Sequence, residues 1–398
     1  MAEKNAQLKP GWRWVNFGDV VRQVKDKVDP EASGLERYVA GDHMDTDDLC
    51  VRRWGVIGSG YLGPAFHMRF RPSQVLYGSR RTYLRKVAVP DFEGICANTT
   101  FVLEPRNPSV LLPDFLPFLM QTDAFNRYSV KNSKGSVNPY INYSDLALFE
   151  FALPPMNGQR QLTSVLLSIE DSQSSLENLA AETQRLRQAL MIDHFEGLHP
   201  EYRTVQQVGT WYSGGTPSRG NPAYWGGEIP WISPKDMKHS ELGTSEEKVT
   251  PEGVEAGSRL TPIDTIMIVV RGMILAHTFP VARTTIPAAF NQDMKALVVS
   301  PEFRPKYIQY WFEFASAQYL QLVSSSSHGT KRLESDRLFS LQVPKLELQE
   351  QDTFIARIDG LRGALAHAEA RLKEGASMKS HFLNEYLAPK EGEHVSLQ

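Results

Sequence analysis

The sequence predicts an α/β protein built as two similar mixed α/β domains, each followed by a long helix, with the two helices pairing as an antiparallel coiled coil about a pseudo-twofold axis. Two observations carry this. A phrase recurs about 190 residues further on, and after each copy the hydrophobic period changes from strand-like to helical. The first copy runs Ser133-Lys134-Gly135-Ser136, Ser144-Asp145-Leu146, Leu153-Pro154-Pro155 and Gln159-Arg160-Gln161. The second runs Ser327-His328-Gly329-Thr330, Ser335-Asp336-Arg337, Val343-Pro344 and Gln349-Glu350-Gln351. Pro154 to Gln159 and Pro344 to Gln349 are equally spaced, so the copies register without a gap where strand gives way to helix.

Residues 1–155 form the first domain. Short apolar runs (Val75-Leu76-Tyr77, Lys86 to Val89, Thr100 to Leu103) alternate with Gly, Pro and Asn, the pattern of strands joined by turns, and a helix is expected near Leu112–Thr122. Residues 156–197 form the central helix, with Leu162, Val165, Ile169, Leu176, Leu179, Leu186 and Leu190 as its apolar seam. Residues 198–344 repeat the plan, with strands at Thr265–Val270, Val281–Thr284 and Ala296–Val299 and a helix at Pro305–Leu322. Residues 345–390 form the C-terminal helix, its seam Phe354, Ile358, Leu361, Leu365, Ala368, Leu372, Phe382 and Tyr386, and 391–398 a tail. Neither stripe can stand alone in water, so the helices are expected to cover each other.

Composition narrows the function. With 41% hydrophobic and 22% charged residues the chain is an ordinary globular one. Two cysteines, Cys50 and Cys96, exclude a disulfide framework and a cysteine zinc site. The polar N-terminus and the absence of any apolar run of membrane length suggest a cytoplasmic protein with no membrane partner. The net charge of −3 hides a partition: the helical segment 159–197 holds 3 basic against 6 acidic residues, whereas Arg69 to Pro90 holds Arg69, Arg71, Arg80, Arg81, Arg85 and Lys86 and no acid. Such a patch attracts phosphate whatever the whole-chain charge.

Catalytic lookalikes fail on chemistry. Asn138-Pro139-Tyr140 and Asn221-Pro222-Ala223-Tyr224 resemble the loop with which amino-methyltransferases grip adenine, but each departs from it, and no glycine fingerprint is present to hold S-adenosylmethionine. Pro90-Asp91 with Glu93 and Glu104 lacks the lysine of a metal-dependent nuclease. The ten histidines show no metal-ligand spacing, and no phosphate loop is present. Neither a catalytic centre nor a metal or cofactor site is expected. The alternative is a DNA methyltransferase or nuclease with its own active site.

Arginine and aromatic residues carry the positive signal. Arg80-Arg81-Thr82-Tyr83-Leu84-Arg85-Lys86 interleaves a ring with four cations, suited to groove insertion, or else forms a solvated strand face. Lys131 with Lys134, and Lys331 with Arg332, recur in the two repeated loops. Gly214-Gly215-Thr216-Pro217 is a turn by composition that could also approach a phosphate backbone. The full set of candidate DNA contacts is Arg52, Arg53, Arg80, Arg81, Tyr83, Arg85, Lys86, Lys131, Lys134, Ser136, Ser218, Arg219, Lys235, Arg271, His328, Thr330, Lys331 and Arg332.

Over nearly its whole length the chain resembles the specificity subunit of Type I restriction-modification systems. The likeness lies in Ser213-Gly214-Gly215-Thr216-Pro217-Ser218, Asn221-Pro222, Tyr224-Trp225-Gly226-Gly227 and Ile229-Pro230-Trp231, then Val269-Val270-Arg271-Gly272 and Asn291 to Leu297. In the first half it lies in Val75-Leu76-Tyr77-Gly78, Arg81, Tyr83 to Ala88 and Phe92 to Cys96. The resemblance implies two target recognition domains, each reading one half of an asymmetric bipartite sequence in double-stranded DNA. It also implies that two modification subunits, using S-adenosylmethionine to methylate adenine, and restriction or motor subunits assemble on the helices, which fix the spacer between half-sites. The halves differ from each other between Pro30 and Gly60 and between Arg219 and Arg259.

Overall fold

The computed structural model describes residues 8–325 and 329–387. It divides into two compact units: residues 1–178 with 369–398, and residues 179–368. The central helix (Met156–Glu196) and the C-terminal helix (Leu348–Leu387) each change unit along their length, so each unit holds one mixed α/β domain and a segment of both helices.

In unit 1 the four-stranded sheet runs, in spatial order, Val21–Val24, Thr100–Pro105, Val75–Gly78 and Val87–Ala88. A second four-stranded sheet orders Gly55–Val56, Arg37–Val39, Gly94–Ala97 and Phe66–Phe70. A two-stranded ribbon pairs Arg13–Asn16 with Glu150–Leu153 and leads into the central helix. Unit 2 has the corresponding pieces. Gly209–Ser213, Met294–Val299, Ile266–Val269, Val281–Thr284 and Glu241–Leu242 form one sheet; Glu247–Val249, Trp225–Ile232 and Ala289–Phe290 form another; Tyr202–Thr204 pairs with Gln342–Pro344. In both, one strand of the second sheet lies parallel to its neighbour, Tyr38 opposite Ile95 and Trp231 opposite Ala289. The strands expected from alternation are present within a residue or two. The helix expected near Leu112–Thr122 is a 3₁₀ turn (Pro113–Phe115) running into Leu116–Met120, and the one at Pro305–Leu322 breaks at Ala315. A further helix, Asp123–Lys131, had too few apolar residues to be legible and is capped by Thr122, whose hydroxyl accepts from Phe125 N at 3.3 Å.

Helix segments close each core. In unit 1, Leu166 of the central helix and Leu383 and Leu387 of the C-terminal helix are buried with Phe17, Leu103, Phe115 and Phe125. In unit 2, Met191 and Phe195 with Phe354 and Ile358 are buried against Tyr307 and Leu338. Within unit 1 the helices run antiparallel: Glu170 meets Lys379, and Gly375 lies against Gln173. In unit 2 His194 stacks on Phe354 with ring centroids 3.8 Å apart.

The packing departs from the expected seam. Val165, Leu179 and Leu186 are 45%, 58% and 51% exposed, while Gln159, Thr163, Leu166 and Met191 are buried. The central helix thus turns a partly polar stripe inward and several leucines outward. In the C-terminal helix Phe354, Ile358 and Ala368 are buried as expected, but near its end Leu383 and Leu387 are buried in place of Phe382 and Tyr386.

The duplication is also registered two residues differently. Gln159 donates to Pro154 O (3.0 Å) and Val110 O (2.9 Å) and accepts from Leu112 N (2.8 Å). Gln351, not Gln349, repeats this, donating to Leu346 O (2.9 Å) and Glu302 O (3.0 Å) and accepting from Arg304 N (2.8 Å). Both amides are essentially fully buried. The backbone agrees, Phe17 N bonding Phe149 O and Val205 N bonding Leu341 O. Leu346 therefore stands where Pro154 does, and the Pro-to-Gln match at Gln349 is a coincidence of composition.

Candidate nucleic-acid interface

In unit 1 the strand Val75–Gly78 ends at a junction of three loops. Ser79 N donates to Thr99 O (3.0 Å), Ile141 N to Ser79 O (2.9 Å) and Arg81 N to Pro139 O (2.6 Å). Lys134 and Tyr140 exchange backbone hydrogen bonds across a turn in which Gly135 has a φ of 88°, a left-handed conformation that favours glycine. Arg80, Lys134 and Tyr140 thereby reach one edge, where Arg80 and Tyr140 line an open cleft with Gln23, Lys25, Asn98 and Asn142, and Ser136 is exposed in the adjoining turn. Arg80, Lys25, Lys27 and Lys131 are exposed and form no ion pair among the described residues. Lys134 pairs with Asp145 at 2.7 Å; that hydrogen bond holds the Asp145 carboxyl below its ordinary range and raises the Lys134 ammonium.

The basic run is not a strand. Thr82–Leu84 is a 3₁₀ turn between Arg81 and Arg85, both left-handed at φ 50°. For arginine each such residue costs about 1–2 kcal/mol, so the turn is held by its surroundings. It also disperses the four cations. Arg80 points to the edge, and Arg81 Nε donates to Asn138 Oδ1 at 2.9 Å. Tyr83 is half exposed, and Lys86 donates to Gly41 O. Arg85 turns inward to Asp47 and Asp123, both at 2.7 Å, and to Gln121 O at 2.6 Å. Burial opposes its charge, and the two carboxylates outweigh that and raise its pKa. The same cluster contacts the C-terminal helix, through Asn384 Oδ1 to Asp123 N (2.9 Å). Arg52 is likewise committed to Asp48 and to Glu177 of the central helix, and Arg53 to Asp45. Arg52 therefore joins domain to central helix, and Arg85 holds the cluster that Asn384 of the C-terminal helix reaches.

Unit 2 assembles the same junction. Val270 N and Arg271 N both donate to Asp293 O (2.9 and 3.1 Å), Gly272 N to Lys331 O (3.0 Å) and Leu333 N to Val270 O (2.9 Å). Arg271 opposes Arg332 as Arg80 opposes Tyr140. Arg271 lies 3.8 Å from Asp293, Arg332 3.2 Å from Glu334, and Lys331 Nζ bonds Ser325 Oγ at 2.8 Å. Thr330 is half-buried beside them, and His328 lies outside the described residues.

The Gly-Gly-Thr-Pro turn docks on this edge. Gly215 N donates to Phe290 O at 3.0 Å, and Thr216 hydrogen-bonds Gln292. A Cβ on Gly214 would stand 2.1 Å from Asn291 O and one on Gly215 2.2 Å from Gly257 O, so close backbone packing requires both glycines. Ser218 and Lys235 are exposed nearby. Arg219 forks onto Glu247 and stacks 3.8 Å above the Trp225 ring. That hydrogen bond lowers the Glu247 carboxyl, with Lys235 adding a smaller effect. Burial pushes the Lys295 ammonium down beside Ser213.

Sequence reasoning did not mark Lys25 and Asn98, and named Tyr140 only in a catalytic lookalike. Long-range backbone pairing brings them to the edge, and no local pattern marks that. Among the described residues no cluster could hold a metal ion, and no helix is long and apolar enough to cross a membrane.

The duplicated α/β domain presents cations from matched strand-end junctions in both units. Residues 200–362 match the family described as Type I restriction modification DNA specificity domain, in line with the resemblance read from the sequence. The chain is 35% identical over 161 residues to the Type I restriction enzyme EcoR124I/EcoR124II specificity subunit of Escherichia coli, covering 40% of each. It is 28% identical over 156 residues to the MjaIX specificity subunit of Methanocaldococcus jannaschii, 38% of this chain and 35% of that one. The aligned stretches thus span about two fifths of these relatives. In fold, it matches the Type I restriction-modification S subunit from M. genitalium with a TM-score of 0.60 at 15% identity, covering 97% of this chain and 98% of the other. A chain from a study of assembly and conformational transition of the type I R-M system gives 0.59 at 19%, covering 95% and 97%.

Proposed function

We propose that this chain reads a bipartite, asymmetric sequence in double-stranded DNA, one half-site per domain, and performs no chemistry itself. The observation that carries the reading is the matched junction, in which Arg80 and Arg271 share one position and Tyr140 and Arg332 stand opposite them, so a common backbone frame carries a shared cation and a side chain that differs. Phosphates draw the cations, and base edges are read by the residues that differ between the copies. Two modification subunits, which supply S-adenosylmethionine and methylate adenine, and restriction or motor subunits dock on the helices. The outward leucines, Leu179 and Leu186, with Val165 and Met378, support such a partner surface. The helices set the spacer, and the assembly works in the cytoplasm.

The test is to express the chain with its modification subunits and map methylated adenines in the host genome. A two-part motif with a fixed gap is expected, with no methyl transfer by the chain alone. Transfer by the isolated chain, or methylation without a sequence motif, would overturn the proposal.

A further inference from the structure

Between the strands Gly55–Val56 and Phe66–Phe70 a loop carries Tyr61, which is 92% exposed, more than any other aromatic side chain among the described residues. Gly58 is left-handed at φ 87°, and a Cβ at Gly58, Gly60 or Gly63 would meet nothing within 4 Å. Nothing in unit 1 covers the ring. The ends of the loop are nevertheless fixed: Ile57 N bonds Glu36 O at 2.8 Å, Phe66 N bonds Gly63 O at 3.1 Å, and Asn98 N bonds Ala65 O at 2.8 Å.

That last bond places the loop. Asn98 lines the Arg80 cleft, and its neighbour Thr99 accepts from Ser79. Lys25 lines the same cleft, and Lys27 pairs with Met68 at the foot of the loop. The loop that carries the uncovered ring is therefore anchored beside the cleft whose cations would lie on phosphates. In the second domain the corresponding stretch after Glu247–Val249 is the helix Pro251–Gly257, closed against Tyr224 O at Gly253. The feature belongs to one domain only.

We propose that residues 57–63 form a finger that lays the Tyr61 ring into a groove of the duplex and wedges it against a base step in the half-site read by the first domain. Side-chain-free glycines let the backbone approach the sugar-phosphate wall, and a ring set against an opened step replaces lost stacking. This rests on the DNA reading above.

The full chain is used to enrich duplexes from a randomised library, and the enriched duplex is titrated with wild type, Tyr61→Phe, Tyr61→Ala and Arg80→Ala. Tyr61→Ala is expected to bind about 5- to 100-fold more weakly, the range of a single base-aromatic stack, and Tyr61→Phe within about twofold of wild type. Thymines placed through the enriched half-site report unstacking to permanganate: one hyper-reactive position is expected with wild type, Tyr61→Phe and Arg80→Ala, and none with Tyr61→Ala. Unchanged affinity, or an unchanged permanganate pattern, in Tyr61→Ala overturns the finger while leaving the DNA reading intact. Failure of the wild type to enrich any duplex sinks both. Because Tyr61 packs on nothing in its unit, matched melting temperatures verify that the variants are folded.

Discussion

Arg80 and Arg85 sit in one basic run yet have different surroundings, and their variants should separate. Arg80 is exposed at the loop junction with no ion pair among the described residues, so Arg80→Ala is expected to weaken duplex binding and leave the melting temperature near wild type. Arg85, itself largely buried, ties Asp47 to Gln121 O and Asp123, so Arg85→Ala unties these segments, strands the Gln121 carbonyl and should lower thermal stability by several degrees. Thermal melts beside salt-matched titrations separate the two. His194 gives a pH prediction. Burial, with His199 nearby, pushes its pKa down to about 4 from an ordinary 6.5. The unfolded chain then binds more protons between those values, so stability is present above pH 6.5 and falls as pH drops toward 4. The buried Glu313 carboxyl is raised and acts in the opposite sense, so the comparison is with His194→Phe, whose melting temperature should fall less between pH 7 and 5 than that of wild type.

At the scale of elements, the sequence was most legible where one residue type has one use. Val281–Thr284 and the two long helices were plain from period alone, because alternation and a Pro-free heptad admit few other structures. The face the central helix buries was not legible: apolar spacing cannot tell a seam between helices from a surface for something else, and here Gln159 and Thr163 are inside while Leu179 is out. The buried glutamines explain why. An amide that satisfies three backbone groups gains more from burial than an exposed leucine loses. Gln159→Leu should strand Val110 O, Pro154 O and Leu112 N, at about 1–3 kcal/mol for each group left unsatisfied, and denaturant unfolding should show a loss that Gln349→Leu does not.

For the whole molecule, fold class and duplication were readable from 398 letters, whereas the site was readable only as a basic tendency. The ion pairs of Arg52 and Arg85 were not legible, because Asp47, Asp123 and Glu177 lie far along the chain from the arginines they hold. The proposed ruler makes a prediction at this scale. Gln173 faces Gly375, so four residues inserted after Leu176 and four after Leu372 keep the helices paired. They add about 6 Å, and methylation mapping should then show both half-sites unchanged and a gap longer by about two base pairs of roughly 3.4 Å. An unaltered gap would count against the helices as the measure.

The twin glutamine seats bear on how a chain with the proposed function would acquire new targets. Each α/β module is locked to its rod by the same three backbone groups, none of which belongs to the loops that differ between modules. Under the proposed function, a foreign cassette bearing that socket would seat itself and leave the outward helix faces untouched, so the recognised word would change while the machinery that acts on it stayed the same.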